Sequence, residues 1–326
     1  MTDTNALMLD MGRRARAAAD ALRATTPDAR TEALTRLAQG LRAAEAEILA
    51  ANTRDIENAR ASGLNEALID RLALTPARVE GMAVAVETIA AQPDPVGAEM
   101  ARWTPANGLD IARVRTPIGV LGVIYESRPN VTADAAALCI RSGNAAILRC
   151  GSDCLESSRA IAAVVARAVV EAGLPADAIQ LVPVPDREAV GAILSGLEGA
   201  IDLIIPRGGK SLVARVQAEA KAPVLGHLEG LCHTYLDAAA DLDVARRVVV
   251  NAKMRRVSVC GATETLLVDR AAATRLLPAV AADLIKAGCE LRGDTETRAL
   301  VPEAAEAVEA DWTTEYLAPI LSVRVV

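Results

Sequence analysis

Phenylalanine is absent from the 326 residues, and aromatic side chains together make up only 2% of them. With two Trp and three Tyr, the chain has no platform on which successive nucleobases could stack. Lysine is nearly missing as well. The four Lys against thirty-one Arg point to a genomic habit rather than a function. Basic charge does not dominate: 42 acidic side chains against 35 basic ones leave a net charge of -7 and a pI near 5.1. That excludes a basic footprint for nucleic acid. No apolar run reaches the roughly 18 residues of a membrane span. Asp10, Arg13, Arg14 and Arg16 interrupt the start, where a signal peptide needs its apolar stretch. There are two His, neither in a Gly-x-Ser-x-Gly setting, which argues against a Ser-His-Asp hydrolase. Six Cys at unequal spacings do not make a disulfide framework. The expectation is a soluble cytoplasmic chain with reduced thiols, no membrane contact and no nucleic acid partner.

What is present is aliphatic. A 52% hydrophobic share, mostly Ala, Val, Leu and Ile, suits closely packed helices and buried strands. At roughly 150 residues per domain the length suggests about two domains. The first hundred residues read as helices. Thr26-Pro27 and Thr75-Pro76 are N-cap and N1 pairs, and Leu34, Leu37, Leu41 and Ile48 recur at helical spacing. Gln92-Pro93-Asp94-Pro95 stops the second of these helices. Asn107-Gly108 with Leu109, Ile111 and Val114 predicts a tight hairpin over 102–115. Beyond Pro117, apolar runs at 118–124, 145–148, 179–182 and 201–205 alternate with helical stretches, including 131–141 and 157–172. After Gly226 the rhythm restarts, with strands at 234–236 and 265–268 and helices at 244–253 and 271–287. This alternation predicts an α/β fold with doubly wound parallel sheets.

Ligands of open α/β sheets bind beyond the carboxyl ends of strands. Four loops are candidates under that rule: Tyr125-Glu-Ser-Arg-Pro-Asn130, Arg149-Cys-Gly-Ser-Asp153, Pro206-Arg-Gly-Gly-Lys-Ser211 and Arg255-Arg-Val-Ser-Val-Cys-Gly-Ala262. Gly208 and Gly209 would let main-chain N–H groups approach a pyrophosphate at a helix start. By itself, an ordinary turn explains them as well. Cys260 follows two guanidinium groups that would favour its thiolate; an inert thiol beside surface arginines is the plainer alternative. His227, Cys232 and His233 do not match a structural zinc spacing, so no metal is expected. Cys139 and Cys289 read as packing, and Cys150 and Cys154 as loop residues.

Together the loops resemble one family. Pro117-Ile-Gly-Val-Leu-Gly-Val-Ile-Tyr-Glu-Ser-Arg-Pro-Asn-Val-Thr132 is similar to the signature of the gamma-glutamyl phosphate reductases (glutamate-5-semialdehyde dehydrogenases). Ser142–Arg149, Ile205–Gly209, Gly230–Tyr235 and Asn251–Cys260 resemble the same family in the same order. The resemblance implies an aldehyde-dehydrogenase-like fold: a Rossmann-type NADP-binding domain over 1–100 and 117–228, an oligomerisation hairpin over 101–116 and a catalytic domain over 229–326. It implies NADPH-dependent reduction of L-glutamyl 5-phosphate to the semialdehyde through a thioester on Cys260, in proline biosynthesis, with possible coupling to glutamate 5-kinase. The oxyanion donors would be the Asn130 amide and the Cys260 N–H. Arg149 would face the adenosine ribose, Gly208 and Gly209 the pyrophosphate, and Glu315 the nicotinamide ribose, although Ala318 replaces the glycine of that family segment. Arg128, Arg256 and His233 would meet the substrate's carboxylate or phosphate, on charge alone.

Two departures accompany the resemblance. The position that activates water in hydrolytic aldehyde dehydrogenases falls on Gly226, which suits an enzyme that keeps its thioester from water. The sequence also ends at Ile320–Val326, where the family continues, so the catalytic domain is expected to be cut short, with an unpaired final strand and without the strands that pair subunits into a homo-oligomer. Alternatives are a non-catalytic nucleotide-binding remnant, or an aldehyde or acyl-CoA dehydrogenase of the same fold.

Overall fold

The computed structural model describes residues 3–64, 66–226 and 228–326. The chain divides into two compact units, Met1–Gly226 and His227–Val326. Among the described residues no helix is long and apolar enough to cross a membrane.

The first unit opens with five helices: α1 (Thr4–Leu22), α2 (Pro27–Ala43), α3 (Glu45–Ala61), α4 (Glu66–Leu72) and α5 (Pro76–Ala90). The Thr-Pro starts behave as the sequence predicts, with Thr26 and Thr75 accepting from the N–H groups of Ala29 and Arg78. The segment after α5 is fixed by a contact not visible in the sequence. Buried Arg30 reaches Asp94 at 2.7 Å and donates to the Thr25 carbonyl at 2.7 Å, tying the α2 start to the proline-rich stop. Next come β1 (Glu99–Trp103) and β2 (Ile111–Val114), an antiparallel pair forming its own small sheet. The hairpin is looser than expected: Trp103 faces Ile111, so residues 104–110 form the loop. Pro105 has no N–H for the ladder, and the chain instead turns locally, with the Gly108 N–H on the Pro105 carbonyl at 2.9 Å and φ +79° at Gly108.

The main sheet of this unit contains β3 (Val120–Tyr125), β4 (Ala145–Cys150), β5 (Ile179–Leu181) and β6 (Leu203–Arg207), all parallel, in the order β5-β4-β3-β6. The connecting helices are α6 (Val131–Arg141), α7 (Leu155–Glu171) and α8 (Arg187–Leu194), and α9 (Lys210–Glu219) follows β6. Every residue of β3 and β4 is buried, as a strand covered on both faces requires. Strand β6 starts later than residue 201 because the Asp202 carboxylate replaces the ladder, accepting the Val120 N–H at 2.8 Å and pairing with Arg16 at 2.8 Å. The order runs outward from β3 to β5 and then returns to β6 on the other side. The crevice between the carboxyl ends of β3 and β6 is therefore the topological switch point.

A buried polar cluster seats α7. Asp55 on α3 accepts the N–H groups of Glu156 and Ser157 at 3.2 and 2.8 Å, and the Ser157 hydroxyl at 2.6 Å. It acts as a cap supplied by another helix, and burial pushes its carboxyl above the usual range. Asp55→Ala should cost about 2 kcal/mol, because it strands two buried amides. Urea unfolding would measure the loss.

The second unit holds a parallel sheet of β7 (Cys232–Leu236), β8 (Thr263–Val268), β9 (Glu290–Gly293), β10 (Ala305–Glu306) and β11 (Ile320–Val325), in the order β10-β9-β11-β8-β7. Helices α10 (Leu242–Met254), α11 (Arg270–Lys286) and α12 (Thr295–Leu300) connect the strands. The final strand is not the unpaired edge expected from the sequence. It lies in the middle of the sheet, with Ser322 opposite both Thr265 and Arg292. Its Leu321, Ser322 and Val323 are fully buried, so pairing on both sides matches the apolar run.

Candidate functional site

The candidate residues fall into two groups, one in each unit. In the first unit they collect at the switch point around a cavity of about 600 Å³. Glu126, just past β3, donates its N–H to the Arg207 carbonyl at 3.2 Å, which joins the two diverging loops. Its carboxylate lies 3.5 Å from the Gly209 N–H, where α9 begins without a side-chain cap. A Cβ on Gly208 would come within 2.7 Å of Glu126 Oε2 and of Leu212 Cδ2, so any side chain there would displace both. Around a Gly209 Cβ there is open space. The residues that line it include Arg71, Arg128, Arg149, Arg187 and Arg215, with Glu126 and Asp153 as the acidic members. A helix start in a mostly cationic recess favours negative charge.

The sequence placed Tyr125, Arg149 and Cys150 in loops; the structure places all three in buried strands. Both strands run on because Tyr125 pairs with Cys150 across the β3–β4 ladder. Burial also pushes the Tyr125 phenol well above its ordinary range, and its hydroxyl meets Thr132 Oγ1 at 2.6 Å. Arg149 turns its guanidinium to the main chain: Nη1 donates to the Cys150 carbonyl at 2.7 Å and Nη2 to the Pro185 carbonyl at 2.8 Å. Its Nε is buried without a hydrogen-bond partner among the described residues. Arg128 is half-buried on the same wall. Ser127, held at φ +49°, donates to the Asp153 carboxylate. Asn130 precedes α6 and donates one amide hydrogen to Asp134 at 2.9 Å, leaving the second amide hydrogen for another acceptor. Gly226 leaves no room for a side chain, since a Cβ would lie 2.8 Å from Pro206 Cγ.

In the second unit the candidates gather at the amino edge of the sheet, not at the carboxyl ends. Cys260 sits half-buried in the turn between α10 and β8, three residues before the strand begins. Its carbonyl accepts from Cys232 Sγ at 3.3 Å, and the main chain of Gly230 lies against the same carbonyl. A Cβ on Gly230 would stand 2.4 Å from that oxygen. The turn is closed by the Ala262 N–H on the Val259 carbonyl at 2.9 Å. His233 is exposed, with Nδ1 2.7 Å from the Leu231 carbonyl, and Arg256 is exposed on the turn itself. Glu315 is half-buried in the segment leading into β11. His227 lies outside the described residues. Among the described residues no group of three His, Cys, Asp or Glu could hold a metal ion.

All six cysteines are free. Burial pushes the Cys139 thiol up to about 12 and the Cys289 thiol up to about 11. Cys150 and Cys154 are buried against one another; their contact raises Cys154 well above its ordinary value and lowers Cys150, but burial shields both sulfurs from a reagent. Iodoacetamide at pH 8 should therefore alkylate Cys232 and Cys260 in the folded chain and leave the other four until denaturant is added. Peptide mass spectrometry would read this.

Several residues of the candidate site were not singled out by the sequence. Arg187, at the start of α8 after β5, could have been found by applying the strand-end rule to one more strand. Glu126 was inside a candidate loop, but its place at the start of α9 depends on the β3–β6 pairing. Gly230 lay inside the Gly230–Tyr235 segment of the family resemblance, but the sequence did not show that it packs against the Cys260 carbonyl.

The model of the aldehyde dehydrogenase family matches residues 4–315. A gamma-glutamyl phosphate reductase of Caulobacter vibrioides is 64% identical over 319 residues, spanning 98% of this chain and 77% of the relative. The crystal structure of a gamma-glutamyl phosphate reductase from Thermotoga maritima superposes with a TM-score of 0.89 at 41% identity, covering 98% of this chain and 77% of that one. The corresponding structure from Saccharomyces cerevisiae gives a TM-score of 0.63 at 29% identity, with 97% and 80% covered.

Proposed function

Because this chain belongs to the aldehyde dehydrogenase family, and within it to the gamma-glutamyl phosphate reductases, we propose that it reduces L-glutamyl 5-phosphate to L-glutamate 5-semialdehyde and phosphate with NADPH, as a step of proline biosynthesis. It is an oxidoreductase of the aldehyde dehydrogenase type that works with a nicotinamide cofactor.

Residues at the switch point fit such a cofactor. Gly208 and Gly209 at the bare start of α9 suit a pyrophosphate. The unpartnered Nε of Arg149, with further guanidinium groups on the same cavity wall, suits a ribose phosphate. Glu315 is assigned to the nicotinamide ribose on the resemblance of its segment. When bound, NADPH supplies the hydride that takes the acyl carbon to the aldehyde level. Arg149→Ser should then lower the preference for NADPH over NADH by about tenfold or more, because a charged partner is lost from one cofactor only. Initial rates with both cofactors would check it.

The remaining chemistry belongs to the chain. Cys260 Sγ, as thiolate, attacks the acyl carbon; a C–S bond forms, the C–O bond to phosphate breaks, and inorganic phosphate leaves. Breaking the C–S bond after reduction restores the thiolate. The Cys260 N–H and the second amide hydrogen of Asn130 are assigned as donors to the oxyanion. Arg128, Arg256 and His233 are assigned to the substrate's carboxylate or phosphate. The observation that carries the proposal over a hydrolytic aldehyde dehydrogenase is Gly226, at the position where that class places a water-activating carboxylate: Pro206 leaves no space for one.

The hairpin is assigned to subunit pairing, since Met100, Trp103 and Val114 on its two strands and Leu109 in its loop present apolar surface. The domain roles proposed are cofactor binding for 1–100 and 117–228 and catalysis for 229–326. Six free thiols suit the reducing cytoplasm, and a labile acyl phosphate would favour transfer from a glutamate 5-kinase nearby. The test is the reverse reaction. With L-glutamate 5-semialdehyde and NADP, NADPH should form only when phosphate is present. Dependence on coenzyme A instead, or turnover with neither acceptor, would overturn the proposal.

A further inference from the structure

One ion pair of the second unit is fully buried. Lys253, near the end of α10, places Nζ 2.6 Å from Glu264 Oε2 near the start of β8, with side chains 0% and 1% exposed. Taking both charges out of water offsets most of their attraction, so an apolar pair of similar size usually folds as well or better. Stability alone therefore does not explain the pair. Its connections offer another reason. Lys253 and Glu264 stand on either side of the Cys260 turn. The second carboxylate oxygen, Oε1, accepts the N–H of Leu317 at 3.3 Å. Leu317 has φ +51°, a left-handed conformation that leucine adopts only when its surroundings hold it. The neighbouring Tyr316 ring lies 5.9 Å from the Lys253 ammonium and 5.3 Å from the Arg292 guanidinium. Its hydroxyl donates to Asp311 Oδ1 at 2.7 Å and meets Ser322 Oγ at 2.8 Å. One cluster thus holds residues 316 and 317, and Glu315 comes immediately before them.

We propose that Glu264 is a positioning residue, with Lys253 neutralising its buried charge: its second carboxylate oxygen ties the turn that carries the nucleophilic Cys260 to the segment that presents Glu315. The inference rests on the roles proposed above for Cys260 and Glu315. The pair touches no substrate and moves no proton. It fixes two stretches of main chain against each other, so the thiol and the ribose-binding carboxylate keep one spacing.

Two double variants test this. Lys253→Met with Glu264→Leu fills the space with apolar atoms and removes the acceptor for Leu317. Lys253→Met with Glu264→Gln also removes both charges but keeps an amide oxygen for the Leu317 N–H. The apolar variant should melt no lower than the unaltered chain. Its KM for NADPH should rise about tenfold, as expected from losing one hydrogen bond to a charged group, while kcat falls less. In the absence of cofactor, hydrogen exchange over residues 315–318 should quicken in the apolar variant and slow again in the glutamine variant, which should also recover most of the KM. If the apolar variant does not fold, near-normal exchange and KM in the glutamine variant support the proposal. A folded apolar variant with unchanged exchange over 315–318 and unchanged KM overturns it, as does a folded glutamine variant that regains neither. The exchange readout needs no turnover, so its failure is distinct from failure of the functional proposal, which would appear as absent phosphate-dependent activity in the unaltered chain.

Discussion

Cys260→Ser should reduce phosphate-dependent turnover by roughly ten-thousand-fold or more, the scale seen when a covalent nucleophile is removed. The fold should barely notice. The side chain is half-buried in a turn, differs by one atom, and its recorded neighbours Cys232 and Gly230 engage its carbonyl rather than its sulfur. Melting temperature and NADPH affinity should therefore match the unaltered chain, while a serine hydroxyl without an adjacent base remains a poor nucleophile at neutral pH. Two measurements decide it, kcat by NADPH absorbance and Tm by circular dichroism. Turnover within tenfold of the parent would remove Cys260 from the mechanism.

Gly230→Ala should do nearly as much harm from outside the reacting atoms. The added methyl would stand 2.4 Å from the Cys260 carbonyl oxygen and 3.2 Å from its carbonyl carbon and Cβ. None of these is the free end of a flexible side chain, so the turn itself must shift, by something near 1 Å. Misplacing a reacting group by about that much costs on the order of a hundredfold in rate. Overpacking at one position costs about 1–3 kcal/mol, so the chain should remain folded. The expected pattern is a hundredfold lower kcat with little change in NADPH binding, because the cavity of the first unit is untouched. Unchanged kcat in a folded variant would mean that the turn tolerates displacement, and with it that its geometry is not critical.

Much of the architecture could be read from local signals. Thr-Pro pairs set helix starts at Thr26 and Thr75. Runs buried on both faces marked β3 and β4, because a strand covered by helices on each side has no polar face to show. The errors arose where distant partners replace local rules. Asp202 takes over a ladder bond and delays β6, Pro105 opens the hairpin loop, and β11 is flanked on both sides by strands that precede it in sequence.

The site was legible in the same uneven way. Motifs that resemble a family named Cys260, Asn130, Arg149 and Glu315. The strand-end rule misplaced the Cys260 turn, because in the second sheet that turn precedes its strand. Gly230 and Lys253 lie inside family-like segments and Glu264 outside them, yet the motifs singled out none of the three, since their significance comes from what folding brings beside them.

In the proposed reaction an acyl group passes through Cys260 on its way between phosphate and aldehyde. The most direct measurement mixes the chain with L-glutamate 5-semialdehyde and NADP in the absence of phosphate, then follows NADPH in a stopped-flow instrument and the protein by mass spectrometry. A single burst of up to one NADPH per chain is predicted, with a glutamyl adduct on the peptide containing Cys260 that disappears when phosphate is added. No burst, an adduct on a different residue, or an adduct that phosphate leaves in place would contradict it.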